Sequence, residues 1–161
     1  MRQAVWAGFR KIVSGGQSGV DRAGLDAALA LNIPCGGWCP QGRKAEDGVI
    51  DQRYPLVETD SDNYSVRTAW NVRDSDGTLI FNQGELEGGT AETVDYALQQ
   101  GKPCLVVSLD QSIDIETVIR WINDNRIATL NIAGPRESKW PGIQQNTQAV
   151  LLNLLRACSE Q

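Results

Sequence analysis

Five short, mainly apolar runs recur along this chain, without the sustained polar alternation of a half-exposed strand, and each is followed, directly or after a loop, by a stretch with helical spacing. The runs are Ile12-Val13, Ile33 to Cys35, "GTLIF" (77–81), "CLVVSL" (104–109) and "ATLNIAG" (128–134). The helical stretches are marked by Val20, Leu25, Ala28, Leu29 and Leu31, by Val66, Ala69, Trp70 and Arg73, by Val94, Ala97 and Leu98, by Ile115, Val118, Ile119 and Ile122, and by Ile143, Thr147, Val150, Leu151, Leu154 and Cys158. A strand buried on both faces has no polar side to alternate with. Strands of that kind, separated by helices, predict an α/β chain: a Rossmann-like, three-layer αβα fold with a mainly parallel sheet of about five strands and right-handed crossovers. At 161 residues, with no Pro/Gly/Ser linker or shift of composition, the chain reads as one domain over 1–161, with residues 1–10 as a loosely ordered N-terminal extension. The polar segment "CPQGRKAEDGVIDQRYPLVETDSDNY" (39–64) has no periodicity and is long enough for a loop to suggest a functional role.

In sheets of this type ligands bind beyond the carboxyl ends of the strands. There the first strand runs into "SGGQSG", Ser14, Gly15, Gly16, Gln17, Ser18 and Gly19, and then into a helix that carries Arg22 in its first turn. A helix start leaves N–H groups without intrahelical partners, and glycines let an anion approach the backbone, so the junction reads as a phosphate site. A branched side chain at Gly16 would then fill the space of the phosphate. The plain alternative is a tight turn that packs helix on strand. A second glycine-opened helix, from Gly88, Gly89 and Thr90 through Thr93, follows another strand of the same sheet, so two helix starts can face one pocket. Arg43 and Lys44 in the long loop, Arg67, and Arg136 and Lys139 after the fifth strand gather positive charge at the same end. The dinucleotide pattern G-x-G-x-x-G is absent from the first loop, as is the Lys-Ser/Thr ending of a nucleoside-triphosphate loop. Asp21, Asp26, Glu46, Asp47 and Asp51 read as caps and surface charge and receive no role.

A net charge of -5 and a pI near 4.7 argue against nucleic acid as a partner. No apolar stretch exceeds strand length and the first ten residues lack a secretory pattern, which predicts no membrane association and a cytoplasmic protein. The 4 cysteines form no C-x-x-C pair and the chain has no histidine, so no metal site is expected. Cys104 and Cys158 read as small buried hydrophobes. Trp6, Trp38, Trp70, Trp121 and Trp140 are many large apolar side chains for one small domain, and they point to a homo-oligomer.

"SGGQSGVDRAGLDAAL", "GGWCPQGRKAEDG", "RTAWNVRDSDGTLIF", "GGTAET" and "NIAGPRES" together resemble the putative molybdenum carrier family, which is similar to the algal molybdenum cofactor carrier proteins. The resemblance covers nearly the whole chain. It implies a Rossmann-like fold, a dimer or tetramer, and a pocket for the phosphorylated pterin of molybdenum cofactor, held as a ligand and not required for folding. A more distant likeness is to the lonely-guy phosphoribohydrolases. Arg67, Ser75, Asp76, Gly88 and Gly89 match their pattern, whereas Thr68 stands for lysine, Glu87 for proline, Ala91 for glycine, Glu92 for threonine and Asp95 for glutamate. The resulting expectation is a binding or carrier protein for a phosphorylated, pterin-like or nucleotide-like molecule. The alternatives are a nucleotide N-glycosidase with Arg67 and Asp95 as catalytic pair, and a non-catalytic regulatory or scaffold module.

Overall fold

The computed structural model describes residues 8–159. Its main sheet contains β1 (Lys11–Val13), β2 (Cys35–Gly36), β7 (Gly77–Asn82), β8 (Cys104–Ser108) and β9 (Thr129–Ala133), in the spatial order β2-β1-β9-β7-β8. Every pairing is parallel, with Ile12 beside both Cys35 and Leu130, and Leu79 between Leu105 and Ile132. Five helices flank it: α1 (Val20–Ala30), α2 (Tyr64–Arg73), α3 (Gly88–Gln99), α4 (Ile115–Asp124) and α5 (Ile143–Ser159). The α/β, Rossmann-like expectation and all five apolar runs are borne out. Of the expected N-terminal extension, residues 1–7, Trp6 among them, lie outside the described residues; Arg10 already donates its N–H to Ala128 O at 2.9 Å.

Burial explains the layering. All six residues of β7, an interior strand between β9 and β8, are buried. Its Leu79 and Phe81 join Ile12, Leu130 and Ile132 in a core closed by Val20, Ala23 and Ala27 of α1, Val118 and Ile122 of α4, and Leu151 and Leu154 of α5. Side chains alternate along a strand, so Thr78, Ile80 and Asn82 turn to the other face, where α3 lies along β7 and β8 and packs on α2. That second face is polar at depth. Arg67 and Asn71 are among the buried residues of α2, and Thr90 and Thr93 among those of α3.

The segment 39–64 differs from the expected irregular loop. β3 (Trp38–Cys39) pairs in parallel with β6 (Val57–Glu58), and β4 (Lys44–Ala45) forms a hairpin with β5 (Gly48–Val49). Cys39, Ala45, Ile50, Tyr54 and Leu56 form a small core of their own with Leu25 of α1. Arg43 holds it together. Its Nε donates to Ile50 O (3.0 Å), Nη1 to Leu56 O (3.2 Å), and Nη2 to Asp51 O (2.7 Å) and Tyr54 O (2.9 Å).

Candidate functional site

A cavity of about 270 Å³ opens at the carboxyl ends of β1, β9 and β7. Gly15, Gln17 and Asp21 form its wall on the β1–α1 side; α2 supplies Arg67, Thr68 and Asn71. The start of α3 contributes Glu87, Gly88, Gly89, Thr90 and Thr93, and β9 with its following loop contributes Asn131 through Arg136 and Lys139.

The helix starts differ in how their N–H groups are used. Asn63 caps α2 by accepting from Ser65 N–H (2.9 Å), and Asp114 caps α4 by accepting from Glu116 N–H (3.0 Å) and Thr117 N–H (3.4 Å). At α1 no side chain caps the helix, yet Gly19 N–H donates to Gln144 Oε1 (2.9 Å), Val20 N–H to Pro135 O (3.1 Å) and Arg22 N–H to Gln17 O (3.1 Å). These bonds take most of the donors at that end and leave only the Asp21 N–H without an acceptor among the described residues. At α3 the Glu87 side chain makes no cap bond, and the N–H groups of Gly88, Gly89 and Thr90 have no acceptor among the described residues. These donors lie in the cavity wall, where the helix dipole favours an anion. Lys139 pairs with Glu87 there.

Arg67 is 7% exposed. Its Nη1 donates to Gly15 O at 2.8 Å and its Nε to Thr68 Oγ1 at 3.0 Å; Nη2 has no partner among the described residues. A Cβ on Gly15 would stand 2.4 Å from Nη1, so the glycine is what lets the guanidinium lie against the loop. Lys44 Nζ (4.6 Å), Arg67 Cζ (5.3 Å) and Arg136 Cζ (5.4 Å) surround the ring of Tyr64, a concentration of positive charge in an acidic protein. Asp21 opposes it. Burial pushes its carboxyl up to about 6, against the pull of Arg67, whose Nη1 is 3.6 Å away, and of the Gln17 N–H.

Several expected site residues do other work. A Cβ on Gly16 would meet Leu56 Cδ1 at 2.6 Å and Ile50 Cδ1 at 2.9 Å, so the expectation that a side chain there fills a phosphate's space is corrected: that side faces the core of the long loop. Ser14 Oγ donates to Asp21 O (2.8 Å) and accepts from Gly16 N–H (3.3 Å). Ser18 Oγ donates to Glu46. Arg22 spends its guanidinium on Asp47 (2.7 and 3.1 Å) and on Gly16 O (2.9 Å). Arg43 is turned inward, and Lys44 lies on Tyr64. The Glu46-Asp47 turn is thereby pinned to the first loop; burial would raise the Glu46 carboxyl, and bonds from Ser138 and Ser18 outweigh it. Asp95 is exposed and outside the cavity wall, because Thr90, Thr93 and Ala97 define the inward stripe of α3 and position 95 falls on its far side. The sequence reading passed over Asn71 and Asn131. Asn131 carried a signal, as the one polar side chain inside "LNIA" of a buried strand. Among the described residues no three acidic, cysteine or histidine side chains group so as to hold a metal, and no helix is long and apolar enough to cross a membrane.

A parallel sheet flanked by helices, with a polar cavity at its strand ends and an open helix start in the wall, defines a Rossmann-like α/β protein. The model of the circularly permutated YpsA SLOG family matches residues 12–155, and the chain belongs to that family. It is also similar to the crystal structure of a putative molybdenum carrier protein from Syntrophus aciditrophicus SB, with 49% sequence identity, a TM-score of 0.84, and coverage of 91% of this chain and 94% of that one. The family resemblance carried by the motifs is thus borne out. No curated protein matches the chain.

Proposed function

We propose that the protein is a carrier for a phosphorylated small molecule, with its phosphate seated on the start of α3. The observation that carries this reading is the set of three free N–H groups at Gly88, Gly89 and Thr90 in a cavity wall that also holds Arg67, Arg136 and Lys139. Molybdenum cofactor, a pterin phosphate, is the proposed cargo, on the family resemblance and in keeping with the relative's description as a putative molybdenum carrier; a nucleotide-like molecule presents the same phosphate chemistry. The protein works as a homo-oligomer, a dimer or tetramer, in the cytoplasm, a compartment that suits its four free cysteines.

Native mass spectrometry of the protein as purified is the first test, with a retained phosphorylated molecule as the expected result. Calorimetric titration with ribose 5-phosphate is the second. A Cβ on Gly89 meets nothing within 4 Å, so Gly89→Asp leaves the fold intact and places a carboxylate where the anion should sit. Loss of one or two charge-assisted bonds of about 1.5–3 kcal/mol each predicts affinity at least ~10-fold weaker. Equal affinity in the folded variant removes the phosphate from α3.

A further inference from the structure

Among the residues that line the cavity, Arg67, Arg136 and Lys139 carry positive charge and Asp21 and Glu87 negative charge. Lys139 and Glu87 pair with each other, and the Glu87 side chain is 62% exposed, so water stabilises its charge. Asp21 is the buried acid of the wall, 7% exposed, and the phosphate seat gives it no role.

Asp21 sits in the first turn of α1, where Gln17 N–H from the preceding loop donates to its carboxylate. The cations that face it are Arg67 of α2, Arg22 of its own helix and Arg136 of the segment after β9. None of the three hydrogen-bonds it. Arg67 Nη1 gives its bond to Gly15 O at 2.8 Å and stands 3.6 Å from Asp21 Oδ2, while Arg22 is bound to Asp47 and to Gly16 O. Burial therefore outweighs these partners and pushes the carboxyl up to about 6. The neighbouring Glu46-Asp47 turn differs. Burial acts on Glu46 as well, but bonds from Ser138 and Ser18 bring it below the usual carboxylate range, and the Arg22 hydrogen bond does the same for Asp47.

A phosphate on the start of α3 upsets the balance of the wall. As a dianion it leaves one negative charge in excess while Asp21 and Glu87 are both ionised, and a proton on Asp21 cancels that excess. This carboxyl is the favourable place for the proton, since burial already opposes its charge and the incoming anion draws on the same Arg67 and Arg136 that offset it. We infer that a dianion binds in this cavity together with one proton, which Asp21 takes from solvent. The effect is reciprocal: an anion that raises the proton affinity of Asp21 is itself held more tightly when Asp21 is protonated. Proton coupling rests on the carrier reading and adds to it a means of release, with loading favoured in acid and unloading as pH rises through the range in which Asp21 ionises.

Sulfate is the probe, because it stays a dianion from pH 5 to pH 8 and any proton taken up with it resides on the protein. Calorimetric titration at pH 7 in buffers of different ionisation enthalpy counts that proton; about half a proton or more per sulfate is expected if the anion raises the Asp21 pKa by one unit or more. Affinity of the wild type should then fall about tenfold from pH 5 to pH 8. Asp21→Asn should take up no proton, bind sulfate with little change over that range, and at pH 8 bind it about tenfold more tightly than the wild type. Ribose 5-phosphate, already mostly a dianion at pH 7, gives the same count with a larger ligand. Binding of either anion without proton uptake, or uptake that persists in Asp21→Asn, overturns the coupling and leaves the phosphate seat standing. If neither anion binds, the coupling falls together with the seat. The wild-type proton count decides the matter even where Asp21→Asn fails to fold.

Discussion

Two buried charged residues behave oppositely because one is fully partnered and the other is not. Arg43 directs its guanidinium to four main-chain carbonyls of a segment with little regular structure. Arg43→Lys offers one ammonium in place of a planar fork, leaves buried carbonyls unpaired, and should destabilise the protein by about 3 kcal/mol in urea unfolding; a change below ~1 kcal/mol would show that the segment holds without it. Asp21 is the reverse case. Burial holds its pKa at about 6 in spite of Arg67, Arg22 and Arg136, whereas its ordinary value is 3.8. Between those values the folded chain binds a proton that the unfolded chain has released, so stability falls as pH rises through the window, by on the order of 3 kcal/mol by pH 7. Asp21→Asn has no charge to bury and should unfold at higher urea than the wild type at pH 7, with the gap narrowing toward pH 4. A gap that widens on acidification would reverse the sign.

At the scale of elements, helix faces decide which residues can share in chemistry. Arg67 lies in the cavity and Asp95 lies outside it, and glycosidic cleavage needs a group that stabilises charge together with one that positions water, held in place to within about 1 Å. Nucleoside monophosphates incubated with the protein should therefore release no free base above background, while Arg67→Ala weakens binding of ribose 5-phosphate. Steady base release abolished by both Arg67→Ala and Asp95→Asn would restore the hydrolase. The five strands and five helices were legible because short apolar runs alternate with stretches of 3.6-residue spacing that extend over several turns, so even the brief β1 and β2 stand out by their place in the alternation. The paired strands within 38–58 were not, since two-residue strands set up no period and are held by Arg43 and by contacts with Leu25. The glycine starts of α1 and α3 were both visible, but the state of their N–H groups was not. At α1 two of those donors, on Gly19 and Val20, are taken by Gln144 and Pro135, residues more than a hundred positions away, and no local pattern announces that.

For the molecule as a whole, the two sides of the sheet are unequally covered. The core unites α1, α4 and α5 with the strands, whereas α2 and α3 bury mainly polar or small residues and leave apolar ones half open. Leu98 of α3 is 80% exposed, and on edge strand β8 Val106 is 38% exposed. An apolar edge strand with unpaired main-chain groups is a liability that soluble proteins normally cover or charge. α3 packs along β8, so Leu98 and Val106 belong to neighbouring elements at one end of the sheet. Trp38 and Trp70 do not add to this surface: they meet edge to face, with centroids 4.9 Å apart, and Trp38 Nε1 donates to Asp74. Self-association across α3 and β8 would bury Leu98, and a glutamate there would place a charge in the contact. Light scattering at micromolar concentration should accordingly give a multiple of 17.6 kDa for the wild type and a lower mass for Leu98→Glu. A monomeric wild type across that range would refute the oligomer, and an unchanged multimer in Leu98→Glu would move the contact to another face.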